Sequence, residues 1–250
     1  MLKLFSGKKL AIIGGTGYIG LNIAKRAATW GISVSAISRK GQPKSSFPFP
    51  SNITFVKGSA MSPDEFSDIL KESDAVIHTV GTLIDYGKKP GDPGSYEQMN
   101  RDTAIKIGNK LNEFNKKQKI VYISANKGPP MFERYIQTKR EAEEYLLGLK
   151  GIRTTILRPG FVVSAKERLW SVPLKYIVMF GNFNVKMGLK IFKDIRVRNF
   201  LEKLEEDDPI ELEDLTIAAI ITAFDEKYDE KILLGEEMKN LARNFIEKMV

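Results

Sequence analysis

The chain has 250 residues, 42% hydrophobic and 28% charged, and 39 Lys and Arg against 31 Asp and Glu give a formal net charge of +8. That is enough apolar sequence for one large domain or two small ones, and it is unlike the composition of a disordered chain. With no cysteine and a single histidine, His78, disulfides, thiolate chemistry and multi-histidine metal centres are excluded, and no metal site is expected.

In chain order, "KKLAIIGGTGYIG" is an apolar run that breaks into glycines, "LNIAKRAATWG" continues with helical spacing, and "ISVSAISR" reads as a second strand. Together these make one strand–turn–helix–strand unit. "NITFVKGSA" is a short strand. "SPDEFSDILKES" reads as a helix with Ser62 as N-cap and Pro63 at its first position. "DAVIHTVG" is a buried strand and "KKPGDPGSYEQ" a loop. "MNRDTAIKIGNKLNEFNKK" is a long helix, "KIVYISA" a strand, "RYIQTKREAEEYLLGLK" a helix and "IRTTILRPG" a strand. This alternation predicts an α/β fold, a Rossmann-like doubly wound parallel sheet covered on both faces.

The turn Gly14-Gly15-Thr16-Gly17-Tyr18-Ile19-Gly20 carries the first chemical signal. Glycines let the backbone approach a pyrophosphate, and the following helix offers it free N–H groups and a positive dipole end. The turn stands between a strand and a helix, which is the context a dinucleotide-binding motif needs. An acid at the end of the second strand would select the ribose of NAD. Here Ser38, Arg39 and Lys40 occupy that place, and a guanidinium suits a 2′-phosphate. NADP(H) is therefore favoured, with NAD(H) possible. His78, followed by Val80 and Gly81, closes "DAVIHTVG" at the sheet edge that faces the cofactor. A lone histidine closing an apolar strand is more often a packed, hydrogen-bonded residue than a catalyst, and Gly81 reads as the point where the backbone passes the ligand.

Tyr135 and Lys139 are four residues apart, on one face of a helix. An ammonium beside a phenol favours the phenolate, and a tyrosine so tuned can exchange the proton that accompanies hydride transfer. Ser124 ends the preceding strand at the same edge, where its hydroxyl could hold a substrate oxygen.

"GGTGYIG", "DAVIHTVG", "YISA", "YIQTK" and "LRPGF", in this order, resemble the short-chain dehydrogenase/reductase superfamily, and its extended or atypical group most. The match runs from Lys9 to Phe161 and more loosely through "PIELEDLTIAAIITAF". "YEQMNRDTAIKIGNKL", "YISANKG" and "TILRPGFVVS" look like a mitochondrial branch. That branch holds the nucleotide-binding accessory subunit of respiratory complex I and a related protein of coenzyme Q biosynthesis. The resemblance implies that Gly14 to Gly20 cradle the phosphates, that Tyr135, Lys139 and Ser124 form the catalytic set, and that Asn100 matches an active-site asparagine. It also implies that Arg158, Pro159 and Gly160 pass the nicotinamide. Two departures stand out: Ser59 replaces an aspartate often found near the adenine, and the short spacing from Ser124 to Tyr135 implies a cramped substrate pocket.

The expected organisation is a dinucleotide-binding domain over residues 1–163 and a smaller, mostly helical lobe over 164–250, with a late strand near 232–234 returning to the sheet. Eight Lys or Arg fall within 164–200 and eight acids within 202–214. No apolar run reaches the roughly 18–20 residues of a spanning helix, and about ten residues before the first strand are too few for an ordinary cleaved signal, which leaves a short mitochondrial signal or a trimmed mature start as the readings. "LWSVPLKYIVMFGNFNVKMGLKIFKDIRVRNFL" sets aromatics among basic residues. It is the expected contact with a large partner, a mitochondrial complex near an anionic membrane surface, with no nucleic acid involved. The implied role is an accessory or assembly subunit on the matrix side of the mitochondrial inner membrane, with structural nucleotide. The alternative is an active NADPH-dependent reductase or dehydratase-like enzyme acting on a small substrate, mitochondrial or cytoplasmic.

Overall fold

A computed structural model describes residues 5–45, 48–127, 132–164 and 209–249. The basic, aromatic stretch 165–200 and most of the expected helical lobe lie outside the described residues.

Strand β1 (Lys9–Ile13) is buried at four of its five positions. The glycine turn follows, then helix α1 (Tyr18–Thr29), β2 (Ser33–Ser38) and β3 (Ile53–Lys57). A 3₁₀ turn (Pro63–Phe66) runs into the short α2 (Ser67–Glu72), and β4 (Ala75–His78) comes next. A π turn (Glu97–Asp102) opens α3 (Thr103–Phe114). Then come β5 (Gln118–Ile123), α4 (Glu133–Gly148) and β6 (Ile152–Arg158). Two short strands, β7 (Val162–Val163) and β8 (Ile210–Glu211), pair with each other. The chain continues through α5 (Leu212–Phe224), β9 (Lys231–Leu234) and α6 (Gly235–Glu247).

Seven strands form one sheet in the order β3-β2-β1-β4-β5-β6-β9, every pair parallel. From β1 the chain steps outward to β2 and β3, then crosses back to lay β4 on the other side of β1. The loops leaving β1 and β4 therefore diverge, and a crevice opens at the carboxyl ends of the strands.

Apolar side chains cover both faces of the sheet. One face packs α1, α5 and α6 through Ile23, Ala27, Leu215, Ile217 and Met238. The other packs α3 and α4 through Ile107, Leu111, Ala142 and Leu146. Burial on both sides explains the unbroken apolar runs of β1 and β4. In α5 every residue from Leu215 to Ala223 is buried, because the helix is wedged between the sheet, α1 and α6.

Two elements differ in detail from the pattern read in the sequence. Ser62 does not cap a helix with its side chain. Its carbonyl instead accepts from Glu65 N at 3.2 Å, so the turn closes in the tighter i→i+3 manner. The long helix before β5 starts with a π turn that buries Glu97 and Asn100.

Candidate functional site

The glycine turn is tight because the main chain is packed on itself. Gly14 has φ +85, where only glycine is unstrained. The amides of Gly14 and Gly15 both donate to Ile37 O, at 2.9 and 3.0 Å, tying the turn to β2. A Cβ on Gly15 would lie 2.7 Å from Ala36 Cα, and one on Gly20 would lie 2.4 Å from Gly14 O. Tyr18 and Ile19 begin α1, and Ile19 packs against the core. No side chain caps α1 and no acid lies in its first turn, so its positive end is left open to an anion.

A cleft of about 900 Å³ opens over this turn. Gly14, Thr16 and Gly17 form its floor, Ser38, Arg39 and Lys40 the end of β2, and Thr79, Val80 and Gly81 the loop after β4. The Ser38 hydroxyl donates to Gly41 O at 3.1 Å. Arg39 and Lys40 are exposed and make no ion pair among the described residues. The cleft also touches Gly58, Ser59, Met61, Gln98, Met99 and Thr103. Apart from Ser59, these carried no recognisable signal, because Gly58 and Met61 lie on a loop, and Gln98, Met99 and Thr103 on the helical segment opening α3, without fixed spacing to the glycines. Ser59 Oγ accepts from Met61 N at 3.3 Å, so this serine shapes its own turn.

Beyond Gly81 the construction changes to side chains. A Cβ on Gly81 would lie 2.9 Å from Asn100 Oδ1 and 3.1 Å from Lys139 Nζ. Asn100 is fully buried. Its Oδ1 accepts from Thr82 N at 2.8 Å and its Nδ2 donates to Thr82 O at 3.2 Å, which pins the loop that lines the cleft. Lys139 is 3% exposed. It donates to Ile123 O at 3.1 Å and sits 4.8 Å from the centre of the Tyr122 ring. Burial pushes its ammonium down to about 7, against an upward pull from the Glu143 carboxylate. His78 pairs with Ile13 and Tyr122 across the sheet, and neither of its ring nitrogens has a hydrogen-bond partner. Burial first, and the Lys139 charge second, depress it to about 3, so the imidazole is neutral.

Tyr135 and Lys139 stand one turn apart on α4. The Tyr135 ring packs edge-on against Tyr96, at 5.8 Å, and Phe132, at 6.4 Å. Arg134 fastens the connection between β4 and α3: it meets Glu97 at 2.7 Å, Asp85 at 2.9 Å and Lys88 O at 2.8 Å. Ser124 is 4% exposed, and its hydroxyl donates to Glu143. Arg158 also binds Glu143 from the end of β6, while Pro159 O accepts from Asn126 N at 2.8 Å and Gly160 follows at the same sheet edge. The sequence did reveal Lys139. The clue to Glu143 is that it stands a further four residues along, on the same buried stripe.

Against known proteins, the NAD(P)H-binding family matches residues 14–175. The chain is 28% identical over 200 residues to "MIOREX complex component 2" of Saccharomyces cerevisiae, covering 62% of this chain and 72% of that protein. It is 24% identical over 163 residues to "Uncharacterized protein At1g32220, chloroplastic" of Arabidopsis thaliana, covering 64% of this chain and about half, 52%, of that one. Among solved structures, the enzyme WbmF of Bordetella bronchiseptica in complex with NAD+ superposes with a TM-score of 0.64 at 17% identity, over 98% of this chain and 79% of that one. The shared architecture is a Rossmann-like α/β fold built on a parallel sheet.

Proposed function

The chain belongs to the NAD(P)H-binding family, and on that premise we propose that it is a dinucleotide-binding subunit of a large mitochondrial assembly. NADP(H) is the favoured ligand and NAD(H) a possible one. The observation that carries the reading is the Gly14–Gly20 turn, packed too tightly for any Cβ at Gly15 or Gly20 and opening onto an uncapped helix terminus. In this reading the turn holds the pyrophosphate, and Arg39 and Ser38 meet the 2′-phosphate. Gly81, Lys139 and the Arg158–Gly160 segment flank the nicotinamide half. Bound nucleotide adds stability in proportion to the logarithm of its concentration over Kd.

Two names support the subunit role and an organellar location. The yeast relative is named as a component of a complex and the Arabidopsis relative as chloroplastic. The motif resemblance points further, to quinone-linked respiratory metabolism, either complex I or the coenzyme Q machinery, on the matrix face of the inner membrane. Among the described residues no helix is long and apolar enough to cross a membrane. One observation favours a reductase instead: Lys139, held near 7, shares a helix face with Tyr135. The dinucleotide would supply the hydride. Tyr135 would then give the matching proton to the substrate oxygen, with Lys139 favouring the phenolate that results.

The test is gentle purification of a tagged chain from mitochondria. Co-migration with a large assembly, with bound NADP(H) and no turnover, supports the subunit. A free monomer that reduces carbonyl substrates with NADPH, and loses that activity in Tyr135→Phe, supports the enzyme.

A further inference from the structure

In a doubly wound sheet the ligand lies across the carboxyl ends of the strands, with its pyrophosphate on the first glycine turn. The cleft already places one half of the ligand over β2 and β3, where Arg39 and Gly58 lie. The other half must then cross β4 toward the ends of β5 and β6. At those two ends a single carboxylate gathers the structure. Glu143 is 2% exposed. Arg158, from the end of β6, reaches it with Nε, 3.1 and 3.0 Å from the two carboxylate oxygens, and with Nη2. Ser124, from the end of β5, donates its hydroxyl to Oε1, and Arg140 Nη1 donates to the same oxygen at 2.6 Å.

Arg140 does more than neutralise that charge. Its Nη1 also donates to Ala125 O at 2.9 Å and its Nη2 to Asn126 O at 2.6 Å. Asn126 N in turn donates to Pro159 O at 2.8 Å, and Ser124 N to Leu157 O at 2.8 Å. The loops after β5 and β6 are thus fastened to each other and to α4 through one buried anion. Removing that charge leaves two arginines without their acceptor, in a region where an uncompensated charge is costly.

We propose that Glu143 is the positioning residue of the site. It sets the two loops that wall the nicotinamide half, and it holds Ser124 in that scaffold, with the hydroxyl donating to Glu143 and not to a substrate. This rests on the dinucleotide reading. It adds a division of labour: the Gly14–Gly20 turn binds the adenosine half, and the Glu143 cluster orders the other.

The test compares a whole ligand with half of it. Affinity for NADPH and for ADP-ribose 2′-phosphate, which lacks the nicotinamide, is measured in the wild type and in Glu143→Gln. The expected result is a loss of tenfold or more for NADPH, with ADP-ribose 2′-phosphate held within twofold. The bound NADPH should also lose fluorescence intensity. Arg140→Gln, at a half-exposed side chain, provides a second variant that is expected to fold. It should show the same split, about threefold, and it decides the matter if Glu143→Gln does not fold. Equal losses for the two ligands would mark Glu143 as a general stabiliser and overturn the proposal, as would two unchanged affinities. A wild type that binds neither ligand would refute the dinucleotide reading itself, a separate outcome.

Discussion

On the β1–β3 side of the cleft the site is made of main chain. Gly14, Gly15 and Gly17 are held by amide-to-carbonyl bonds, and the side chains that reach the space, Arg39 and Lys40, are exposed and uncommitted. Beyond the cleft, toward the carboxyl ends of β4–β6, the structure is held by side chains: Asn100, Lys139, Arg140, Glu143 and Arg158, most of them buried and each tied to another element. A main-chain site depends on the absence of Cβ atoms, so it tolerates no substitution at the close contacts. A side-chain site depends on charge balance, so it responds to charge and to pH.

The contrast breaks first at Gly20. Gly20→Val places a Cβ 2.4 Å from Gly14 O and against Thr79. The turn must open, and we expect nucleotide binding to be lost altogether with a large fall in Tm. Gly17→Ala, whose Cβ meets Gly14 O at 3.2 Å, should keep the fold and weaken binding less. Calorimetry and a melting curve on the two variants separate these cases.

The next effect lies on the other side. Glu143→Ala leaves Arg140 and Arg158, both partly exposed, without their buried carboxylate, and we expect a loss of about 3 kcal/mol in denaturant unfolding, the low end for a broken buried pair. Smaller again is Arg39→Ala. Losing a charge-assisted contact to a 2′-phosphate costs about 1.5–3 kcal/mol, so the preference for NADPH over NADH should fall tenfold or more. Binding of NADH should stay unchanged. A variant that keeps its full NADPH preference would move the phosphate contact elsewhere.

The remaining effects are pH dependences. Lys139 is held near 7 in the fold, below its ordinary value of 10.5. The unfolded chain therefore binds more protons between those values, and stability rises with pH across that window. The cost of the buried ammonium is present in full below pH 7. Lys139→Met should flatten the rise, and its gain over the wild type should be largest at pH 6. His78, held near 3 against 6.5, works at the acid end: stability falls as pH drops from 6.5 toward 3. His78→Phe should remove that fall. Melting curves at several pH values check both.

The same contrast explains what could be read from the sequence. A glycine whose Cβ is forbidden remains visible as a glycine, so the Gly14–Gly20 turn stood out, and the alternating pattern around it gave the parallel sheet. Lys139 stood out through its spacing from Tyr135. Glu143 did not, because "REAEEYL" is what a solvated helix face also looks like. Its partners come from other elements, Ser124 19 residues away and Arg158 15. Burial is set by how α4 leans on the sheet, which local pattern does not encode. Met61, on a loop, and Gln98 and Met99, on the π turn that opens α3, were hidden for a similar reason, since they reach the cleft through tertiary packing alone.

The central claim is that the cleft over the glycine turn binds a dinucleotide and prefers the phosphorylated one. Isothermal titration of the purified chain with NADPH and with NADH tests it most directly. We expect one site per chain, tighter for NADPH. Absence of binding for both at millimolar ligand, or a clear preference for NADH, would contradict it.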